Sequence, residues 1–489
     1  MSHLLKDNKY LIKLIRYFII LTVLSLFLFG FYFYSGSKII YILFSFLNIY
    51  LLIFAFRKKA IFFETFFALL LFLGFWFKFT LTISFTDGVF REGVGSFDYK
   101  PESFDYSLIV SIIGIMPLII CGHLREFFFY YPKKIKKIQF KNNFFNKYRK
   151  KILLIFIILI LSVIILNINF MIYQKGLLPL DNYNFFMSGI VKWMLLFGLT
   201  SIASFIIFLE ISVLKKIFNF TIIISIIEIF LSSLSMISRG MIFNSSSIIF
   251  GIYKLSKKSG KLLNIKKLTL YILLTFILFY ISVISVNYLR VNYFYVGKSA
   301  IEAEKIIPNN ETITETPKKK EFNIINSNNE LFFLAINRWV GIDAIFAVSQ
   351  QRKILNYDLL LKALKEKPDK NEPTFYEKTF KLENFLQGIQ YENVKGNTLT
   401  GIIAFLFYSG SFTFLFFGMF ILNLFATLLE IISFYASRHN LIFTAIIGQV
   451  IAFRYIHFGY LPSQSYLLLG SIILTILFSA IFVKFFLKQ

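Results

Sequence analysis

The stretch LTLYILLTFILFYISVISVNYLR, residues 268–290, carries no charge until Arg290. It has the length and composition of a helix that crosses a bilayer, which takes about 20 mostly apolar residues. The residues that follow, 290–396, are rich in Lys, Glu and Asn and form the longest part of the chain that a bilayer could not accommodate. The sequence therefore predicts membrane-spanning helices interrupted by one long extramembrane segment.

The overall composition is that of a membrane protein. Hydrophobic residues make up 57% of the 489 residues, 65 of them Phe, and the mean hydropathy of +0.70 exceeds that of soluble globular proteins. The one cysteine, Cys121, excludes a disulfide framework and a cysteine metal site. The sequence contains no phosphate-binding or dinucleotide-binding glycine motif and no paired-histidine zinc motif. We therefore expect no metal and no cofactor.

Twelve apolar stretches are candidates for transmembrane helices. Basic residues precede the first one, as in a signal peptide, but no small-residue cleavage site follows it, so we interpret it as a span. The eighth is the weakest because it is short and contains Asn244. The predicted spans are residues 17–34, 39–56, 61–85, 106–121, 152–173, 186–209, 217–238, 241–253, 268–289, 412–435, 441–460 and 465–486.

Lys and Arg are concentrated in alternate connections between these spans, among them 57–59, 133–151 and 254–267. Short basic loops stay in the cytoplasm, so both termini are predicted inside. The predicted fold is an all-α polytopic membrane protein of about twelve transmembrane helices with one large external loop that contains helices. We divide the chain into residues 1–289 with nine spans, the external loop 290–396, and residues 397–489 with a re-entrant or interfacial piece and three spans.

The net charge of +26 has two interpretations. A strongly basic chain can bind nucleic acid. Here most of the excess lies between spans on one side, so topology and attraction to anionic lipid headgroups account for it. We expect membrane lipids, and no nucleic acid, as its partners.

Several cationic residues are predicted at the outer ends of spans. An Arg at the centre of a span costs about 2.5–3.5 kcal/mol to insert, so such residues either snorkel to the interface or have a function. The planar guanidinium group binds phosphate oxygens bidentately and stays charged, so the arginines together predict a shared site for an anion such as a lipid phosphate or pyrophosphate. The residues are Arg239, Arg290, Arg454, His457, Arg338 on the external segment and, somewhat deeper, Lys78.

The external loop contains a predicted helix, residues 330–365, whose apolar residues indicate a segment that lies on the membrane or dips toward it. On it, Trp339 and Asp343 would share a face and Arg338 would point elsewhere. Asp343 is therefore a candidate for proton transfer, as is His457; a merely solvated or capping carboxylate is the alternative. Residues 308–329 predict a flexible tether, and residues 398–408 are apolar but too short to span.

Two carboxylates fall inside predicted spans. Glu228 is near the middle of the seventh, and Glu430 is toward the inner end of the tenth. A proton or ion pathway is one interpretation, and pairing with buried cations or polar neighbours is the other.

The triplet Ser238-Arg239-Gly240 at an outer helix junction, followed by a large external loop with further arginines, resembles the Wzy-type O-antigen polymerases. The resemblance covers the architecture of the whole chain, while the triplet is its sequence component. It implies a GT-C-type membrane glycosyltransferase in the bacterial inner membrane. Such an enzyme transfers glycan from undecaprenyl pyrophosphate to the non-reducing end of another lipid-linked repeat unit on the periplasmic face.

The resemblance also implies roles and partners. Arg239 carries over from the triplet as a pyrophosphate contact, whereas Arg290, Arg338 and Arg454 are assigned to that site, and Asp343 and His457 to proton transfer, by position alone. The donor is already activated by its lipid pyrophosphate, so neither nucleotide nor metal is needed. The implied partners are the undecaprenyl-pyrophosphate-linked oligosaccharide and a chain-length regulator protein.

Three alternatives share parts of this description. An O-antigen ligase uses the same donor but usually has a functional histidine in its external loop, and residues 290–396 contain none. A lipid-linked oligosaccharide flippase has a similar number of spans but normally lacks such a loop. An ion-coupled transporter would make Glu228 and Glu430 central.

Overall fold

The architecture comes from a computed structural model. It describes residues 2–86, 88, 90, 93–132, 142–175, 185–214, 219–258, 265–291, 339–367, 373–380, 399–459 and 462–486. All regular secondary structure in these residues is helical, which confirms the all-α prediction. Arg338 and the predicted tether 308–329 lie outside the described residues, and of Arg290 only the helical backbone is described.

The helices of the described residues are numbered here in chain order. Those before the long loop are α1 (Ser2–Phe33), α2 (Lys38–Ala55), α3 (Phe62–Phe85), α4 (Pro101–Phe128), α5 (Asn142–Phe170), α6 (Phe186–Ser212), α7 (Asn219–Ser235), α8 (Met241–Lys258) and α9 (Ile265–Val291). The others are α10 (Ile342–Gln350), α11 (Tyr357–Leu364), α12 (Phe375–Thr379), α13 (Ile402–Leu406), α14 (Phe412–Ala436), α15 (Leu441–Ile456) and α16 (Pro462–Phe486).

Eight of the described helices have the length and apolarity needed to cross a bilayer: α2, α3, α4, α5, α6, α9, α14 and α16. Tyr17–Phe33 of α1, α7 and α15 are apolar but shorter. This composition is that of a multi-pass membrane protein. Each of the twelve predicted spans coincides with a helix, while the number of crossings and their orientation stay predictions.

Helix α15 lies at the centre of the bundle. All of its residues from Leu441 to Ala452 are buried, and it packs against α3, α8, α14 and the second half of α6. The side chain of Asn440 accepts hydrogen bonds from the first amides of α15, at 3.1 and 3.2 Å. Gly251 of α8 lets the backbones meet, since a Cβ there would lie 2.7 Å from the Cα of Ile442.

Glu430 of α14 caps another helix. Its two carboxylate oxygens accept hydrogen bonds from the amides of Phe62 and Phe63, at 2.7 and 2.6 Å, and Tyr131 donates a third. A buried carboxylate at a helix N-terminus satisfies amides that have no partner within the helix. Glu430 therefore has polar neighbours, which was one of its two predicted interpretations.

The long segment that the sequence predicts to be external differs in part from its prediction. Of the helix expected over residues 330–365 the structure describes the part from residue 339 onward, where α10 begins at Ile342 and the turn Arg352–Ile354 separates it from α11. Trp339, Val340 and Gly341 are not helical, so Trp339 and Asp343 do not share a helix face. Nor does α10 lie on a surface: its residues from Ile342 to Ser349 are buried, and it packs against α4.

The short apolar piece predicted at 398–408 is also built into the bundle. Helix α13 and the turn Phe407–Ser409 are buried and contact α10, α14 and α4. The amide of Gly401 and the hydroxyl of Thr400 both donate to the carbonyl of Phe458, at 2.9 Å each. Residues 339–350 and 399–409 thus line the region beside the end of α15.

Candidate anion-binding site

Three parts of the chain bring basic residues together at one end of α8 and α15. Arg239 lies in the turn before α8, and Lys175 lies in the segment after α5. Arg454 lies in the last turn of α15, and His457 directly follows that helix. The amide of Lys175 donates to the carbonyl of Met236 at 2.8 Å, which ties the segment after α5 to this turn. All four basic side chains are half-buried.

Arg239 connects the turn to α9. Its guanidinium donates a hydrogen bond to the side-chain oxygen of Asn287. Arg290 follows Asn287 by three residues on the same helix. Its side chain lies outside the described part of the structure, so its place in the site stays a prediction.

His457 caps the C-terminus of α15. Its ring stacks on Phe453 with a centroid separation of 4.0 Å, and Nδ1 lies 2.9 Å from the carbonyl oxygen of Phe453. Because a carbonyl can only accept, Nδ1 carries the hydrogen, and in the neutral imidazole Nε2 is left as a proton acceptor. Lys175 and Arg454 both lie within electrostatic reach of this imidazole.

Lys175 joins the two helix ends. Its Nζ lies 5.7 Å from the ring centroid of Phe453 and 3.9 Å from the position that a Cβ on Gly240 would occupy. Lys175 was not among the residues that the sequence predicted for the site. It lies two residues after Tyr173, on the predicted outer side. Its ring contact places it beside Arg454 and His457, and no local pattern in the sequence reports that proximity.

Asp343 is not free, contrary to the expectation for it. The ammonium of Lys78 in α3 donates to Asp343 Oδ2 and, at 3.2 Å, to the carbonyl of Trp339. Both side chains are buried, with relative exposures of 1% for Lys78 and 6% for Asp343. Burial raises the pKa of the Asp343 carboxyl from its ordinary value, and the Lys78 charge opposes that shift. Lys78, which the sequence placed among the cationic residues near the outer ends of spans, is thus the ion-pair partner of Asp343.

Trp339 links this ion pair to the basic residues. Its ring meets Phe243 edge-on, with centroids 6.4 Å apart, and Phe243 contacts Phe453 at 4.8 Å. The segment held by Lys78 therefore borders the site. Arg338 directly precedes Trp339 in the chain, but its position relative to the site lies outside the described residues.

Glu228 of α7 is buried against α6. Its carboxylate accepts hydrogen bonds from Thr200 at 3.3 Å and Ser232 at 2.9 Å. It therefore has polar neighbours, as one of its two interpretations expected.

Comparisons with protein families, curated proteins and solved structures found no match to the chain.

Proposed function

We propose that the protein is a membrane-integral glycosyltransferase that polymerises lipid-linked oligosaccharide repeat units, like the Wzy-type enzymes that its sequence resembles. One observation carries the proposal: Lys175 and Arg454 lie within electrostatic reach of His457, and the Lys175 ammonium also lies beside Gly240, the residue that follows Arg239. Half-buried cations next to a neutral imidazole suit the transfer of a group from a pyrophosphate, because the reaction needs both charge stabilisation and a proton acceptor. In the proposed topology this end of the bundle faces the periplasm.

In the proposed reaction an acceptor hydroxyl attacks the anomeric carbon of a glycan linked to undecaprenyl pyrophosphate. The bond from that carbon to the pyrophosphate oxygen breaks, and undecaprenyl pyrophosphate leaves with the bonding electrons. The hydroxyl proton passes to Nε2 of His457. Arg239, Arg454 and Lys175 stabilise the charge on the leaving group, each by roughly 2–4 kcal/mol if they resemble other preorganised donors.

Asp343 has a different role in this proposal. A carboxylate that is buried against an ammonium is a poor proton acceptor, because protonation would leave Lys78 as an uncompensated buried charge. We therefore assign proton transfer to His457, and to Asp343 the positioning of residues 339–350 beside the site. Both were candidates for proton transfer in the sequence, and because the ion pair with Lys78 occupies Asp343, we assign the role to His457.

The alternatives predict different products. An O-antigen ligase would move finished glycan from the same donor to a lipid acceptor, so His457 and the cations alone do not separate it from a polymerase. The transporter alternative has less support, since Glu430 caps α3. A flippase or transporter would produce flux of substrate into proteoliposomes without any glycosyl transfer.

The deciding experiment is analysis of surface glycan in a deletion strain, together with the purified protein and its lipid-linked repeat unit. A polymerase leaves single-repeat caps in the strain and produces a ladder of lipid-linked oligomers in vitro. Uncapped lipid in the strain would identify a ligase. Wild-type glycan in the strain, with no transfer in vitro, would exclude both.

A further inference from the structure

We propose that Lys192 extends the anion-binding site toward the lipid and contacts a phosphate of a polyprenyl pyrophosphate that approaches from the bilayer. The inference rests on the proposed function only for the identity of the lipid. Lys192 lies in α6, a helix that the sequence analysis treated as an ordinary span. No role was assigned to this residue.

Lys192 is a cation inside an apolar helix. It follows Phe186, the first residue of α6, by six positions, or about 9 Å along a helix. Its side chain is half-buried, and its ammonium makes no hydrogen bond or ion pair with any described residue. The contact that it does make is with the ring of Tyr173, whose centroid lies 5.8 Å from Nζ. A charge in a span is costly unless something offsets it.

The local structure of α6 holds Lys192 in place. A π-helical segment, Met194–Gly198, starts two residues later, and such segments often occur at functional sites. Trp193 donates to the hydroxyl of Thr475 in α16 at 2.8 Å, and Asn244 of α8 donates to the carbonyl of Leu196 at the same distance. These bonds from two neighbouring helices limit rotation of α6 about its axis.

Tyr173 connects Lys192 with the site. Its amide donates to Asn167 at 2.8 Å, and Asn167 in turn donates to the carbonyl of Ser235 at 2.9 Å. The residue is thereby held between α5 and α7, within electrostatic reach of Arg454. Tyr173 precedes Lys175 by two residues, and Lys175 lies 5.7 Å from the ring of Phe453. The row formed by Lys192, Tyr173 and Lys175 therefore leads from the span to the end of α15.

This row suits a ligand with two phosphates. An ammonium held on a ring face keeps its N–H donors for a phosphate oxygen. The cations around His457 can contact one phosphate of a pyrophosphate, and Lys192 the phosphate nearer the lipid tail. A monophosphate lipid would engage only one of the two ends. An ordinary phospholipid headgroup carries one phosphate as well, so the experiment must separate these sources.

The test measures binding to the purified full-length protein in detergent. The probes are labelled undecaprenyl pyrophosphate, undecaprenyl phosphate and phosphatidylglycerol, and the variants are Lys192→Met and Lys192→Arg. Lys353→Met is the matched control, because Lys353 is an exposed lysine outside this row. We expect Lys192→Met to weaken binding of the pyrophosphate lipid by about tenfold or more and Lys192→Arg to retain it. The effect on the two single-phosphate lipids should be smaller.

Each other outcome counts against the proposal. Unchanged pyrophosphate binding by Lys192→Met would overturn it, as would an equal loss with Lys353→Met. An equal loss of phosphatidylglycerol binding would identify a phospholipid contact instead.

The variants are expected to fold, because removing a charge from a span should not hinder insertion. Thermal unfolding checks this, and Lys192→Gln serves as the second variant.

Transfer activity separates this inference from the proposed function. The wild type could fail to transfer glycan while Lys192→Met still weakens binding of the pyrophosphate lipid. That result would support the binding site and reject the proposed polymerase function. Glycan ladders from the wild type, together with unchanged binding by the variant, would do the reverse.

Discussion

The ammonium of Lys78 donates a hydrogen bond to the carboxylate of Asp343, 265 residues later in the chain. The same ammonium also bonds the carbonyl of Trp339 at 3.2 Å. A lone charge at either position would be expensive to bury, and each offsets the cost of the other. The pair therefore fixes residues 339–350 between α3 and α4 and sets Trp339 beside the basic site.

The first prediction concerns this pair. Lys78→Met should lower the free energy of unfolding in detergent by about 3–5 kcal/mol, because it leaves the Asp343 carboxylate buried without compensation. The double variant Lys78→Met, Asp343→Leu should recover most of that loss. If Asp343 acts only through this ion pair, the single and the double variant should change glycosyl transfer to similar extents. Normal transfer by Lys78→Met, together with no transfer by a double variant that folds normally, would restore Asp343 as the proton acceptor.

The second prediction concerns the close approach of two backbones. A Cβ on Gly74, in the π-helical segment Leu73–Phe77, would collide with the carbonyl oxygen of Val340. Gly74→Ala should therefore displace residues 339–341 and lower the free energy of unfolding by about 1–3 kcal/mol. In the control Gly470→Ala a Cβ meets nothing within 4 Å, so stability should be unchanged or slightly higher. Equal stability of the two variants would contradict the packing.

The third prediction concerns the arginines. Lysine keeps the charge of Arg239 or Arg454 but loses the planar pair of donors. Arg239→Lys and Arg454→Lys should slow transfer by roughly thirtyfold to several hundredfold, and Arg290 and Arg338 are expected to behave alike. The measurement is the chain-length distribution of surface glycan at matched abundance. Arg352→Lys, an exposed arginine stacked 4.1 Å from the ring centroid of Tyr106, is the control. If both test variants produce the wild-type distribution of chain lengths, these residues anchor the helix ends at the membrane interface and do not bind pyrophosphate.

The fourth prediction concerns His457. An amide at this position can still donate to the carbonyl of Phe453 but cannot accept a proton, so His457→Asn tests Nε2 with little structural change. Transfer should slow by about a hundredfold to ten-thousandfold, and the rise of rate with pH that reports deprotonation of a base should disappear. Thermal unfolding should match the wild type. A variant with an unaltered pH profile would show that another group takes the proton.

The fifth prediction concerns topology. Lys353 and Lys58 are both exposed, and the positive-inside rule puts them on opposite sides. In intact spheroplasts an impermeant thiol reagent should label Lys353→Cys and should label Lys58→Cys only after permeabilisation. The wild type serves as the blank, since its one thiol, Cys121, is buried. Labelling of position 58 alone would invert the whole arrangement.

Parts of the fold and of the site could be predicted from the sequence because they depend on local composition. Long uncharged runs such as residues 268–289 form helices, since a bilayer leaves no other partner for their amides. Arg239 and Arg454 were placed at similar depths by counting residues along their spans. Lys175 and Lys192 were missed, because their relevance comes from the rings of Phe453 and Tyr173, which no periodicity connects to them. The sequence did contain one signal for Lys192, because it is a charged residue within the predicted span 186–209.

The sequence by itself determined the helical membrane class and the positions of its apolar helices, because the bilayer acts on each stretch of chain separately. Tertiary structure decided which polar residues meet. The sequence left Asp343 open between a proton-transfer group and a solvated or capping carboxylate, and the structure pairs it with Lys78 of α3. It left Glu430 open between an ion pathway and polar pairing, and the structure places the amides of α3 on its carboxylate. In a medium that solvates no charge, the partner of each buried group is set by packing between distant segments, and that partner decides whether the group is structural or reactive.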